Sequence, residues 1–245
     1  MKKLHLAVLL LPLAALAGAA TDFDFFFHVQ LWPASHCSGA DSEDCCYVPV
    51  DDKPPADFTI AGFRPNYASC QPGWLTSNDL QCWPASCNVT DSLHPSLIRD
   101  LNRGLLDNWQ SLSCENRNPM DFWSEEWSQH GTCSNMDQHS YFRAALDFKA
   151  RFNLTRILLN AGGIVPSNEN IYELSRIRDA VTEATGSAPN VECNWNEEGD
   201  MQLYLVHQCV GLDRRSPVHC PRQLEASCTD EIKFPEFQIN DDYYG

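Results

Sequence analysis

Positively charged residues are scarce in this sequence of 245 residues. It contains 17 lysines and arginines against 33 aspartates and glutamates, which gives a formal net charge of -16 at pH 7. General affinity for nucleic acid comes mostly from cations that neutralise phosphates, so this balance disfavours tight non-specific binding to polyanions. The charge alone does not exclude an enzyme with an anionic substrate.

Apolar runs of membrane-spanning length are also absent after the first 20 residues. Residues 1–20 combine Lys2 and Lys3 with an apolar stretch from Leu4 to Leu16 and small residues before Thr21, as secretory signals do. No later run approaches the roughly 20 apolar residues that a membrane span needs. We therefore expect residues 1–20 to be a signal peptide. The mature protein is expected to be free of membranes and located outside the cell or in the vacuole.

The cysteine spacing typical of zinc sites is missing as well. The chain has 12 cysteines, and no two of them form a C-x-x-C pair. An even number of cysteines in a secreted protein predicts a disulfide framework rather than a metal site, and we expect no cofactor. No internal repeat or low-complexity linker divides residues 21–245, so we predict one domain there.

The apolar pattern predicts an irregular mixture of strands and helices. The predicted strands are residues 23–32, 58–63, 190–194 and 201–210, and the predicted helices are 95–109, 122–130, 141–152 and 171–184, the last stopped by Gly186. The long apolar run of the first strand indicates a central position, with burial on both faces. Strands mixed irregularly with helices favour the α+β class.

Two segments carry a pair of motifs. Residues 58–65 read FTIAGFRP, and residues 122–133 read FWSEEWSQHGTC. They resemble the F-x-I-H-G-L-W-P and F-W-x-H-E-W-x-K-H-G-T-C blocks of the ribonuclease T2 family. Residues 23–33, FDFFFHVQLWP, are similar to the first strand of the plant S-like ribonucleases in that family. The resemblance covers nearly the whole mature chain and implies a central, mostly antiparallel sheet packed with several helices.

The resemblance also implies a cysteine pairing. The pairs carried over are Cys37 with Cys45, Cys46 with Cys114, Cys70 with Cys133, Cys193 with Cys228, and Cys209 with Cys220. Cys82 and Cys87 remain, in a segment that resembles an insertion, and we expect them to form a sixth bond. Sequence alone permits many other connectivities.

The family cleaves RNA by adding the ribose 2′-hydroxyl to the adjacent phosphorus, which produces a 2′,3′-cyclic phosphate. One group takes the hydroxyl proton and another protonates the departing 5′-oxygen, a task for which two histidines are suited. The resemblance implies that His130 is the base and that Glu126 is the glutamate beside the phosphorane. Ala61 stands where the family has its acid, so half of the pair is missing.

Three further positions near the reacting phosphate depart from the family. Glu125 replaces a phosphate-binding histidine, Gln129 replaces a lysine, and Arg64 replaces a tryptophan. The first two changes remove positive charge from the transition state. We interpret Arg64 as a counter-ion for Glu125 or Glu126, with a phosphate or base contact as the alternative.

The base pocket is altered too, because Leu31 stands where a base-contacting glutamine is common in the family. The remaining candidates for the substrate pocket are Gln30, Trp32 and Phe122.

The other histidines offer no obvious replacement for the acid. His28 and His36 lie on or just after the first strand, and a relocated acid there is conceivable, but we interpret both as ordinary strand or loop residues. His207 reads as a partly buried, hydrogen-bonded core residue. Glu126 and His130 also resemble half a metal site, but no third ligand is visible in the sequence.

The favoured hypothesis is a secreted protein with the ribonuclease T2 fold and no useful ribonuclease activity, with a role in storage, defence or regulation. The alternative is a weak or altered-specificity endoribonuclease that uses His130, Glu126 and a recruited acid. A third hypothesis is a non-catalytic binder of nucleotides with Arg64 as its anion contact. Binding of RNA or nucleotide is expected to be weak, and a monomer is expected. The sequons at Asn88 and Asn153 are candidate glycosylation sites.

Overall fold

The computed structural model describes residues 22–40, 45, 57–72, 80–112, 118–161, 163–225 and 227–237. The predicted signal peptide, residues 1–20, and the predicted bond between Cys46 and Cys114 lie outside these residues. Within the described part, no helix is both long and apolar enough to cross a membrane.

Strands and helices alternate irregularly along the chain. In order, the elements are β1 (Phe25–Leu31), α1 (Pro33–Cys37), β2 (Thr59–Asn66), β3 (Gln71–Pro72), β4 (Leu80–Gln81), α2 (Asn102–Asn108), α3 (Pro119–Gln129), α4 (Gln138–Arg151), α5 (Leu154–Asn160), β5 (Ser167–Glu173), α6 (Leu174–Thr185), β6 (Asn190–Trp195), β7 (Met201–Val210) and β8 (Glu231–Phe234). The α+β prediction is confirmed.

Strand β1 lies inside the main sheet, between β2 and β7, and pairs antiparallel with both. The strand order is β2-β1-β7-β8-β5, with β6 paired antiparallel to β7. Only the short β7–β8 contact, at Gln202 and Lys233, is parallel among the described strand pairs. All seven residues of β1 are buried, as the apolar run predicts for a central strand.

The helices pack against one face of this sheet. Phe26 and Val210 join a core with residues of α2, α3 and α4, and Val206 joins a second core with residues of α5 and α6. On the opposite face, Phe27 and Val29 belong to a much smaller apolar cluster. A cleft open to solvent lies on that second face.

Two helices differ from the sequence predictions at their first residues. The segment from Pro95 forms two short 3-10 turns, Pro95–Leu97 and Arg99–Leu101, before α2 begins at Asn102. Ile171, predicted to begin a helix, lies in β5 and pairs with Lys233 of β8. Helix α6 begins only at Leu174 and ends at Thr185. Its C-terminal cap is Gly186, whose φ of 75° is the left-handed conformation that glycine adopts readily.

The disulfide prediction was wrong at two pairs. The structure joins Cys70 to Cys82 and Cys87 to Cys133, instead of Cys70 to Cys133 and Cys82 to Cys87. The cause is the β3–β4 hairpin, in which Gln71 pairs with Gln81, so the residues that flank the hairpin face each other. The segment after it continues to α3, where the Ser86 amide donates to the Gln129 carbonyl at 2.9 Å.

Three other predicted pairs are present in the structure: Cys37–Cys45, Cys193–Cys228 and Cys209–Cys220.

His28 is fully buried on the helix side of β1. Its Nε2 lies 3.0 Å from the Ala145 carbonyl oxygen, and its ring contacts Phe63 and Phe148. Burial lowers the pKa of His28 from 6.5 to about 3, against a smaller opposing effect of the hydrogen bond. The folded protein therefore holds this imidazole neutral at pH values where the unfolded chain protonates it.

We predict that this histidine makes the fold sensitive to acid. A depressed folded-state pKa gives stability that is fully present above the unfolded pKa and is lost as the pH falls toward the folded value. Between pH 6.5 and 4, His28 should lower the free energy of unfolding by on the order of 3 kcal/mol. Urea unfolding of wild type and His28→Met at several pH values measures the difference in slope. Parallel curves for the two proteins would contradict the prediction.

Candidate active site

A cleft of about 560 Å³ opens on the sheet face opposite the helices. Its floor includes Phe27 and Val29 of β1, and one wall is the last part of α3. The ionisable residues that line it are Arg64, Glu125, Glu126, His130, Glu192, His207 and Arg222. The cleft thus brings together the two motif segments and residues from the C-terminal third of the chain.

Ala61 forms a β-bulge at the edge of the cleft face. Val29 pairs with Gly62 and Gln30 with Ile60, which leaves Ala61 as the extra residue of β2. Its methyl group packs with the apolar cluster on the cleft side of the sheet. Bulges often re-aim a side chain next to an active site. Here the re-aimed side chain is a methyl group, which cannot transfer a proton.

The Arg64 side chain folds back over this bulge. Its Nη2 donates to the Ala61 carbonyl oxygen at 2.9 Å and to Glu126 Oε1 at 3.2 Å. Gly62 leaves the room that this requires, because a Cβ there would lie 3.0 Å from Cζ of Arg64. The interpretation of Arg64 as a counter-ion therefore agrees with its contact to Glu126. The guanidinium lies beside the position where the family has its acid.

Helix α3 presents Glu126 and His130 to the cleft from its last turn. The Asn118 side chain caps the start of the helix by accepting from the Met120 amide at 3.1 Å. His130 is the C-terminal cap, and its amide donates to the Glu126 carbonyl at 3.0 Å. Gly131 allows the chain to turn there, since a Cβ would lie 2.8 Å from Cζ3 of Trp127. The two retained family residues are thus positioned together.

Burial and nearby charge shift the pKa values of both His130 and Glu126. Burial, and secondly the positive charge of Arg64, lower the pKa of His130 from 6.5 to about 3. Burial raises the pKa of Glu126, whereas Arg64 opposes that shift. His130 is therefore neutral across the physiological range. It can accept a proton there but has none to donate as an acid.

Glu125 and Gln129 satisfy each other on the exposed side of α3. Gln129 Nε2 donates to Glu125 Oε1 at 3.0 Å, one helical turn away. Gln129 stands at the position of the family's lysine, and Glu125 stands at the position of its histidine. The two residues that replace the family's cations are thus hydrogen-bonded to each other. Neither residue offers a phosphate the positive charge that the family supplies at these two places.

Among the predicted pocket residues, only Phe122 lines the cleft. Gln30 is fully buried and donates to Gln208 Oε1 at 2.9 Å. Trp32 is fully buried against Phe58 and Phe234, and its Nε1 donates to the Pro235 carbonyl oxygen. Assigning Gln30 and Trp32 to the pocket was therefore wrong: both side chains are used inside the protein.

Of the three histidines considered as ordinary residues in the sequence, only His207 is placed differently from the sequence interpretation. His28 lies behind the sheet, and His36 stacks on Tyr204, so neither lines the cleft. His207, interpreted as a core residue, lines the cleft in the row Gly62–Val29–His207 across three strands. Its Nε2 lies 2.7 Å from Glu192 Oε1, and this contact lowers the pKa of Glu192.

Sequence reasoning missed several cleft residues, and among them are Trp83 and Arg222. Trp83 follows the hairpin disulfide and is 46% exposed at the rim. The Arg222 guanidinium lies 5.5 Å from the centre of the Phe27 ring. No local motif marks either residue, because contacts with distant segments place them there.

The two sequons have different surroundings. Asn88 is exposed and its Oδ1 accepts from the Thr90 amide and hydroxyl, in a turn. Asn153 caps α5, and its Nδ2 donates to Asp57 Oδ2 at 2.8 Å. The amide nitrogen that a glycan would modify is thus engaged in the folded protein at Asn153. Glycosylation at either site stays a prediction.

The described residues contain no group of three or more histidine, cysteine or carboxylate side chains arranged to hold a metal ion. The Glu126 carboxylate accepts a hydrogen bond from Arg64.

The chain is similar to known proteins over most of its length. The model of the Ribonuclease T2 family matches residues 23–220. Intracellular ribonuclease LX of Solanum lycopersicum is 40% identical over 244 residues, which are 99% of this chain and 97% of that protein. The crystal structure of RNase NT in complex with 5′-AMP is 40% identical, with a TM-score of 0.78 over 88% of this chain and 100% of that one.

A more distant relative has a different description. The ribonuclease-like storage protein of Panax ginseng is 28% identical over 222 residues, which are 89% of this chain and 84% of that protein. The extent of the family match, the shared fold and the two motif segments in one cleft agree with each other, and the chain belongs to the ribonuclease T2 family.

Proposed function

We propose that this member of the ribonuclease T2 family does not cleave RNA efficiently and serves as a non-catalytic protein of the secretory pathway, in storage, defence or regulation. The observation that carries the proposal is the contact of Arg64 with both Ala61 and Glu126. Ala61 stands in place of the general acid, and the neighbouring Arg64 is paired with the retained Glu126.

The expected loss of activity is large. Removal of a general acid costs about 10²–10⁴-fold in rate, and removal of a positioned electrostatic donor costs about 10²–10³-fold. These losses do not add, because catalytic residues act as a unit. Even the smaller loss leaves a rate that is difficult to distinguish from a trace of contaminating nuclease.

One relative supports a role outside catalysis, and another supports nucleotide binding. The name of the ginseng relative is that of a storage protein, and RNase NT has been crystallised with 5′-AMP. We extend nucleotide binding to the cleft of this chain, with weak affinity because its lining includes three glutamates. Secretion is supported by the sequence of residues 1–20 and by five disulfides among the described cysteines.

The test is RNA hydrolysis by purified, oxidised protein beside a His130→Ala variant prepared in the same way. We expect equal rates from about pH 4 to 8, because His130 has no acid to act with. Equal rates also identify any residual cleavage as contamination. If wild type exceeds the variant by about tenfold or more, the proposal of a non-catalytic protein is wrong.

The second candidate is a weak endoribonuclease that forms a 2′,3′-cyclic phosphate with His130 and Glu126. The retention of both residues in one cleft favours it. Neither ring nitrogen of His207 is exposed, however, so this cleft histidine is poorly placed to supply the missing proton. For this reason we rank the endoribonuclease second.

A further inference from the structure

The sequence contains two sequons for N-linked glycosylation, which begin at Asn88 and Asn153. The motif alone ranks them equally, because both have threonine at the third position. The folded protein distinguishes them at the side-chain nitrogen Nδ2, the atom to which the sugar is attached. The surroundings of that atom decide which sequon can carry a glycan in the native state.

Asn88 has an exposed side chain, and its Nδ2 makes no hydrogen bond among the described residues. Val89 is 80% exposed, and Thr90 is exposed as well. The Thr90 amide and hydroxyl both donate to Asn88 Oδ1, at 3.2 and 2.8 Å. These bonds use the oxygen of the side chain and leave its nitrogen available. The adjacent Cys87–Cys133 bond fixes this turn near the end of α3.

Asn153 uses the same nitrogen inside the protein. It lies between Phe152 and Leu154, which are 8% and 0% exposed, and its Oδ1 caps α5 by accepting from the Arg156 amide at 2.8 Å. Its Nδ2 donates to Asp57 Oδ2, also at 2.8 Å. A sugar at Asn153 would therefore be bonded to an atom that already contacts a carboxylate.

The Asp57 carboxylate connects this sequon to a buried lysine. The Thr155 hydroxyl donates to Asp57 Oδ1, and Lys149 Nζ donates to Asp57 Oδ2 at 2.9 Å. The Lys149 side chain is 3% exposed. A buried ammonium is stable only while its charge is paired, so Asp57 is not free to turn away and make room for a sugar. The native fold and a glycan at Asn153 thus compete for one atom.

We propose that the mature protein carries an N-linked glycan at Asn88, and that Asn153 stays unmodified because its amide fastens α5 to Asp57. In the transfer step, Nδ2 bonds to C1 of the sugar, the lipid pyrophosphate leaves C1 with the bonding electrons, and Nδ2 loses one proton. Chains modified at Asn153 before folding would lack the Asp57 contact and would not reach the secreted form. The inference goes beyond the proposed function and shares only the secretory route with it.

The experiment is glycopeptide mapping of the full chain after its secretion from plant cells with its own residues 1–20. A peptide N-glycosidase in ¹⁸O-water removes the glycans and converts each acceptor asparagine to labelled aspartate, which mass spectrometry locates. We expect the label at residue 88 and none at residue 153.

Single substitutions separate the roles of the two sequons. Asn88→Gln should abolish the glycan. Asn153→Gln should leave the glycan in place and lower the melting temperature by about 2–4 °C, because α5 loses its cap and the contact with Asp57. Thermal unfolding of the secreted proteins measures the shift.

A double variant tests the cause. Asp57→Ala with Lys149→Met removes the carboxylate and its buried counter-ion together, so that neither charge is left unpaired. We expect its secreted form to carry a second glycan, at Asn153. The matched control is Arg143→Ala with Asp147→Ala, which removes an exposed ion pair of the same helix, α4, and should leave Asn153 unmodified.

The inference is overturned if secreted wild type carries a glycan at Asn153, or if Asn88 is unmodified in an oxidised protein. An unmodified Asn153 in the secreted Asp57→Ala, Lys149→Met variant also overturns it, because the contact with Asp57 would then not be the cause. None of these results depends on RNA hydrolysis. Free thiols together with an absent glycan would show that the chain does not follow the secretory route, which would overturn that part of the proposed function as well.

Discussion

The quadruple variant Ala61→His, Arg64→Trp, Glu125→His, Gln129→Lys is expected to cleave RNA about 10²–10⁴-fold faster than wild type, because it regains the general acid and the positive charge around the phosphate. The scaffold beneath these positions is present: Ala61 packs with the cluster of Phe27 and Val29, which line the cleft together with the last turn of α3. Initial rates of RNA hydrolysis at several pH values measure the gain.

The order in which activity returns is the sharper part of this prediction. Ala61→His alone should gain little, since Arg64 still holds Glu126 and its guanidinium lies over the bulge. Adding Glu125→His and Gln129→Lys should give an intermediate rate, and Arg64→Trp should complete the gain. A pH profile with two limbs should appear only in variants that contain the new histidine. Full recovery by Ala61→His alone would show that Arg64 does not obstruct the site.

A substrate whose leaving group needs no proton should bypass the missing acid in the wild-type protein. In uridine 3′-(4-nitrophenyl phosphate), the 2′-oxygen bonds to phosphorus, the aryl P–O bond breaks, the 2′-hydroxyl proton passes to His130, and the phenolate leaves as an anion. We expect wild type to react about tenfold or more faster than His130→Ala, at the low end of general base catalysis because His130 is weakly basic.

The pH dependence of this reaction follows from the depressed pKa of His130. Since that pKa is about 3, the base is unprotonated throughout the physiological range. The difference between wild type and His130→Ala should therefore vary little between about pH 5 and 8 and should disappear only in stronger acid. Release of nitrophenolate, followed by absorbance, gives the rates. Equal rates for the two proteins on this ester would show that His130 is not a working base.

The parts of the fold that the sequence predicts are those set by local pattern. The run at 25–31 is mostly apolar, with only His28 and Gln30 as polar residues, and the structure buries all of it within the sheet. Strand β7 has the predicted bounds. Ile171 was misassigned because its partner in the β5–β8 ladder is Lys233, far along the chain. Helical spacing cannot reveal a pairing of that kind.

The residues of the candidate site also differ in whether the sequence predicts them. Family motifs predict that Glu126 and His130 share the cleft with Ala61 and Arg64, whereas Arg222 has no motif. Its place depends on contacts with Asn66 and Cys70, more than 150 residues away. The Cys70–Cys82 bond, which the resemblance did not imply, positions Trp83 near it. Tertiary contacts and an insertion therefore place these two residues in the cleft, and a motif comparison does not detect them.

The loss of the acid is tested most directly by a single-turnover reaction with protein in excess over a dinucleotide, in which ³¹P NMR follows the 2′,3′-cyclic phosphate. Excess protein makes slow cleavage visible, and the cyclic product distinguishes this chemistry from most contaminating nucleases. We predict that wild type forms no more cyclic phosphate than His130→Ala, and that the quadruple variant converts the dinucleotide fully. Formation of the cyclic phosphate by wild type, abolished in His130→Ala, would contradict the account and require another proton donor in the cleft.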